Sequence, residues 1–209
     1  KDYTKLTGQS FYEVLTLLRF GRFDEILAVI NRPRPEVEGG LWDFAQGYAN
    51  LKQGNADFAA VYLARVKKTA ETSKASFRWH AAKDLLPVAA GILEGEMKRM
   101  SGDLDGAIAA FDKAAKGQAA LAYDEPEPLP FSAFHWLGAA LIEAKRYDEA
   151  EKAYLVYYDG PTGQLGEEHV ALAGGDALPD GGHVGGRAHA HVEARLGDAP
   201  LLARQLQRA

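Results

Sequence analysis

The sequence predicts an all-α fold of about four antiparallel helix hairpins, followed by an irregular C-terminal tail. Apolar residues recur at helical spacing in eight segments between residues 11 and 158. The turn between the two segments of each pair is marked by Gly21, Gly54, Gly102 or, in the last pair, Lys145. Residues 159–186 instead contain nine glycines and no sustained helical pattern. We therefore divide the chain into a helical repeat domain at 1–158 and a Gly/His-rich tail at 159–209, in which two short segments could form capping helices.

The first two hairpins are bounded by turn and cap residues. Ser10 and Glu13 fit a capping box, in which each side chain satisfies a free backbone N–H at the helix start. The second helix is expected to end at about residue 30, because Pro33 and Pro35 cannot continue it. The predicted helices of this half of the chain cover residues 11–18, 23–30, 41–52 and 56–70.

The last two hairpins are separated by a proline-rich linker at 124–130, where the chain is expected to be extended. Pro130 is expected to open the helix that follows. Pro87 lies inside another predicted helix and costs about 3 kcal/mol beyond a first turn, so that helix begins at about residue 83 or near Pro87 itself. A short turn is expected at 77–80. The predicted helices of this half cover residues 83–100, 104–116, 131–144 and 147–158.

The hairpins share an order of residues: a small residue where the two helices cross, the turn residue, and then a small residue and an apolar, usually aromatic, residue in the second helix. The best copies are Gly47-Gly54-Ala59-Leu63, Gly95-Gly102-Ala107-Phe111 and Gly138-Lys145-Ala150-Tyr154. This order resembles the tetratricopeptide repeat (TPR) family over roughly residues 9–158, and implies a right-handed α-solenoid. More narrowly, the chain resembles the C-terminal part of uncharacterised bacterial TPR-repeat proteins. Lys145 in place of a turn glycine and two long linkers depart from the family pattern.

Composition excludes several classes of function. The formal net charge of −5 does not suit a general nucleic-acid binder, which would present a basic face. The lack of cysteine excludes disulfides and thiolate metal sites. No apolar run approaches the roughly 18 residues of a spanning helix, so we expect no membrane association. The chain starts at Lys1 without a visible signal peptide, and we expect further repeats before it. The compartment stays open: cytoplasmic, or periplasmic if a signal peptide was removed.

In TPR proteins the first helix of each hairpin lines a concave face on which partner peptides bind. The resemblance therefore implies a non-catalytic scaffold that binds a protein or peptide along this groove. The candidate groove residues are Phe11, Tyr12, Arg19, Phe44, Tyr48, Lys52, Glu96, Arg99, His135 and Glu143. For Phe11, Phe44 and Tyr48, packing on the neighbouring repeat is the alternative. Arg19, Lys52, Arg99 and Glu143 are expected to be solvated or ligand-facing, because burying an unpaired charge is costly.

A second interpretation is a purely structural segment, which packs on further repeats or on a homodimer partner and has no ligand of its own. We expect no enzyme activity, cofactor or metal, because no catalytic or phosphate-binding motif is present. His189 and His191 lie in the tail, where the three or four converging ligands of a metal site are not evident. The tail itself is either a divergent cap or the product of a frameshift.

Overall fold

The computed structural model describes residues 10–159, with side chains at 11–155. Predictions about the tail beyond residue 159 lie outside the described residues. The described part is all-α apart from one short β-hairpin. Its helices are α1 (Ser10–Arg19), α2 (Phe23–Ala28), α3 (Glu36–Lys52), α4 (Ala56–Thr72), α5 (Ala82–Met100), α6 (Leu104–Ala119), α7 (Ala133–Glu143) and α8 (Tyr147–Asp159). Its strands are β1 (Ser76–Phe77) and β2 (His80–Ala81), which pair antiparallel.

The four predicted turn residues share one backbone geometry. The turn residues all have positive φ: 67° at Gly21, 81° at Gly54, 88° at Gly102 and 60° at Lys145. In each turn the next amide donates to the carbonyl five residues back, as in Asn55 N to Asn50 O and Arg146 N to Leu141 O, both 2.8 Å. Lys145 therefore takes the place of a glycine, in a conformation that costs a side-chain-bearing residue roughly 1–2 kcal/mol.

Small residues let the two helices of a hairpin approach closely. A Cβ on Gly95 would overlap the ring of Phe111, and a Cβ on Gly138 would overlap the ring of Tyr154. The glycine and the aromatic residue of the shared order are thus in contact in the third and fourth hairpins. In the second hairpin the corresponding glycine is Gly47, and Leu63 holds the position of the aromatic residue in the shared order. Tyr62 lies against Gly47 instead, with its Cβ 2.8 Å from the position that a Cβ on that glycine would take.

The hairpins follow one another in space as they do in sequence. First helices are in contact in succession, α1 with α3, α3 with α5 and α5 with α7. Second helices α2, α4 and α6 each contact the first helix of the following hairpin. One continuous cluster of buried apolar residues runs from α1 to α8. Among the described residues, no helix is both long and apolar enough to cross a membrane.

Several element boundaries differ from the predicted ones. Helix α3 begins at Glu36, directly after its N-cap Pro35, and includes Gly39 and Gly40. A Cβ on Gly40 would lie 2.8 Å from Leu86, so close helix packing explains the glycine there. Helix α2 is shorter than predicted and ends at Ala28.

Two further boundaries concern proline. Helix α5 begins at Ala82, so Pro87 lies inside it, on an exposed position. Helix α7 begins at Ala133, and its N-cap is Ser132, whose hydroxyl accepts from the Phe134 amide at 3.3 Å. The prediction that Pro130 opens this helix is therefore wrong, because a hydroxyl two residues later supplies the cap.

Candidate functional site

The ten candidate groove residues lie on α1, α3, α5 and α7, and we call the surface formed by these helices the first-helix face. Half of the ten have almost no exposed surface. Phe11, Phe44, Tyr48 and Glu96 are fully buried, and the Lys52 side chain is 6% exposed. The other five keep some surface: Arg19 and Glu143 are exposed, whereas Tyr12, Arg99 and His135 are partly buried.

The chain's own residues cover the buried aromatic candidates. The ring of Phe131 lies 5.8 Å from that of Phe44, between centroids. Trp136 Nε1 donates to the Tyr48 hydroxyl at 2.9 Å, and the two rings meet edge to face. The third buried aromatic candidate, Phe11, packs edge to face on Phe77 of the β-hairpin. All three buried aromatic candidates are therefore covered by other parts of the chain.

Phe131 and Trp136 belong to a stretch that we call the covering segment, residues 124–136. Its middle is fixed by polar contacts from two directions. Arg19 Nη1 donates to Pro130 O at 3.2 Å. Gln118 donates through Nε2 to Phe131 O at 3.1 Å and accepts from the Ala133 amide at 2.7 Å. One glutamine of α6 thus holds the entrance to α7 through both a donor and an acceptor.

The start of the covering segment is fixed to the β-hairpin through Asp124. His80 Nε2 and Arg78 Nη2 lie 3.0 Å and 2.6 Å from Asp124 Oδ2. Arg78 Nη2 also donates to Pro126 O at 2.8 Å. Among the described residues, no hydrogen-bond partner meets the buried Asp124 Oδ1. No local sequence pattern identifies this pair, because Asp124 lies 44 residues after His80.

A network of charged side chains joins the ends of three first helices. Lys52 Nζ lies 2.5 Å from Glu96 Oε1, and Arg99 lies 3.0 Å from Glu96 and 2.8 Å from Glu143. Of the two expectations for Lys52, solvated or ligand-facing, solvation does not hold, because its side chain is 6% exposed. The Arg99 side chain is 13% exposed. Both cations avoid the cost of isolated burial because carboxylates from neighbouring first helices pair with them.

The network and the packing shift several pKa values. Burial lowers the pKa of Arg99, but the Glu96 and Glu143 carboxylates outweigh burial and the pKa is raised overall. Burial, aided by the charge of Glu96, raises the pKa of Tyr48 well above its ordinary value. Burial and the charge of Arg19 lower the pKa of His135 to about 4, so this imidazole is neutral at pH 7.

The chemistry available to these groups is limited by access. A histidine held by a carboxylate is the arrangement that orients a general base, but the His80 side chain is 1% exposed. A substrate does not reach such a ring, so the pair serves to fix Asp124 and the covering segment. Within residues 10–159, no group of three or more His, Cys, Asp or Glu side chains could hold a metal ion.

The remaining candidate surface consists of the five candidates that keep some exposed area. Arg19 and Glu143 are its exposed charged residues, and Tyr12, Arg99 and His135 are partly buried. Comparisons of the chain with protein-family models, with curated proteins and with solved structures found no match.

Proposed function

We propose that this chain is a non-catalytic scaffold of TPR type, a right-handed α-solenoid that binds a protein or peptide partner on its first-helix face. The observation that carries the proposal is the recurrence of one turn geometry in all four hairpins, together with contacts between successive first helices. Stacked units of this kind form extended surfaces that suit peptides.

The surface that a partner meets is charged rather than apolar. Arg19 and Glu143 are exposed, and Arg99 and His135 present part of their side chains. Because Glu143 and Arg99 form an ion pair at 2.8 Å, a peptide charge of either sign finds a counter-charge within one pair. We expect polar and charged contacts to provide most of the specificity.

The proposal is tested by selecting binders from a random peptide library on the purified, immobilised chain. The affinity of selected peptides is then measured by calorimetry for Glu143→Lys. We expect this reversal to weaken binding by about tenfold or more. Lys113→Glu and Glu71→Lys, exposed positions on second helices, are matched controls that should leave affinity within about twofold. Affinities that respond equally to this reversal and to the controls would count against this surface.

A second candidate is a purely structural role. It is favoured by one observation: Phe11, Phe44 and Tyr48 are covered by the chain's own residues. The chain would then pack on further repeats or on a second copy. Size-exclusion chromatography with light scattering, on this chain and on a longer one, separates the two candidates. A monomer that binds a selected peptide favours the scaffold, whereas self-association without peptide binding favours the structural role.

A further inference from the structure

We infer that residues 124–131 act as an internal ligand that closes the part of the first-helix face formed by α1 and α3. The partner that this part fits is a peptide of the same chemistry. It carries a carboxylate, prolines at alternate positions and an aromatic side chain seven residues after the carboxylate, as Asp124 and Phe131 are placed here. This inference rests on the proposed function and names the class of partner.

The carboxylate end of the site is preformed around Arg78. The guanidinium lies over the rings of Phe77 and Trp79, 4.8 Å and 5.7 Å from their centroids. From there it contacts both the Asp124 carboxylate and the carbonyl of Pro126. One fixed cation thus recognises an acidic side chain and a main-chain carbonyl two residues later, a pairing that suits an extended peptide.

The apolar end of the site receives the last residues of the segment. Leu129 is fully buried and Phe131 is 7% exposed, with its ring against Phe44. Arg19 binds the intervening carbonyl of Pro130. Residues 125–127 between the two ends are exposed. The segment is thus anchored at Asp124 and Pro126 on one side and at residues 129–131 on the other, as an extended bound peptide would be.

The length of the connection supports a role beyond joining two helices. Residues 120–132 separate α6 from α7, whereas residues 73–81 separate α4 from α5, and helix connections in bundles commonly need about 2–8 residues. A tethered segment has an effective concentration of roughly millimolar. A free peptide with the same contacts therefore competes poorly until one anchor of the segment is weakened.

The test uses the full chain and a synthetic peptide with the sequence of residues 122–133. Asp124→Asn keeps the size of the side chain and weakens one anchor. We expect this variant to bind the labelled peptide at least tenfold more tightly than the unchanged chain, measured by fluorescence anisotropy. A peptide with Asn and Ala at the positions of Asp124 and Phe131 is the control and should not bind. Adding Arg78→Met to the Asp124→Asn variant should abolish binding of the authentic peptide.

A single introduced cysteine provides a second readout that does not need the Asp124→Asn variant. Its labelling is specific because the chain contains no other cysteine. In an otherwise unchanged chain, Leu129→Cys places a thiol on the buried side of the segment itself. Displacement of the segment by millimolar peptide exposes this thiol and should raise its labelling rate at least fivefold. Val66→Cys, equally buried in α4, should show no change. If the peptide neither binds the Asp124→Asn variant nor changes the labelling rate of the Leu129→Cys variant, the inference is wrong.

The outcomes separate this inference from the proposed function. If library peptides still bind with dependence on Glu143 while the segment peptide does not bind, the internal ligand is refuted and the scaffold proposal stands. If Asp124→Asn forms a dimer that excludes the peptide, the occupant is a second copy and the assigned class of partner is wrong.

Discussion

Glu96 is the carboxylate on which the buried charges of the first-helix face depend. Replacing it with glutamine leaves Lys52, whose side chain is 6% exposed, without its counter-charge. Removing one partner of a buried pair costs about 3–5 kcal/mol, because the remaining charge stays desolvated. Arg99 keeps its pair with Glu143, and the glutamine oxygen still accepts a hydrogen bond. We therefore expect Glu96→Gln to lower the free energy of unfolding by about 3 kcal/mol, the lower end of that range.

Urea unfolding followed by far-UV circular dichroism at pH 7 measures this change. Glu94→Gln on the same helix is the matched control, because Glu94 pairs with Lys67 at a site where the side chains are 34% and 45% exposed. This control should cost less than about 1 kcal/mol. The double variant Lys52→Met, Glu96→Leu removes both charges and should return to within about 1 kcal/mol of the unchanged chain. If Glu96→Gln costs no more than Glu94→Gln, the account of a buried, interdependent pair is wrong.

Three further predictions concern backbone geometry and titration. Gly95→Ala should destabilise the chain by about 1–3 kcal/mol, because the added Cβ overlaps a ring from α6. The control Gly117→Ala, where a Cβ meets only ordinary contacts, should stabilise the chain by up to about 1 kcal/mol. Equal shifts of the melting temperature in the two variants would contradict this prediction. Lys145→Gly should stabilise the chain by about 1 kcal/mol and Gly102→Lys should destabilise it similarly in urea, because both positions have positive φ. The pKa of His135 is lowered to about 4 from 6.5, so the unfolded state binds more protons between these values and stability falls as pH drops through that window, by on the order of 3 kcal/mol. His135→Asn should remove this part of the pH dependence, and an unchanged urea-midpoint profile from pH 7 to 4 would refute the assignment.

Turn positions were predictable because their physics is local. A helix that ends with a residue of positive φ favours glycine at that position, as at Gly54, and glycine is visible in the sequence. Lys145 was assigned to the same position because the residues around it match those around the glycine turns. The start of α3 was not predictable in this way. Gly39 and Gly40 are poor helix formers and favour a loop by propensity alone, but Gly40 is needed because Leu86 packs against it. Tertiary packing decided the boundary.

The positions of the candidate residues on the first helices could be predicted from the repeat pattern. Which of these residues are buried could not. Phe44 and Tyr48 are covered by Phe131 and Trp136, which come more than 80 residues later. No pattern around Tyr48 indicates that an indole will donate to its hydroxyl. The burial of Lys52 was not predictable for the same reason. An unpaired lysine is costly to bury, but Lys52 is paired with Glu96, which lies 44 residues away in the sequence.

The charged network also determines which variants report on binding and which report on folding. Glu143 is the last residue of α7, where the negative end of the helix dipole disfavours a carboxylate, and its pair with Arg99 offsets this. Reversing Glu143 to lysine leaves Arg99 paired with Glu96 at 3.0 Å, so no buried charge loses its last partner. Loss of peptide affinity in that variant therefore reports on the surface. Reversal of Glu96 would leave Lys52 without its counter-charge and place a further cation beside Arg99. A loss of affinity in that variant would therefore report on folding instead.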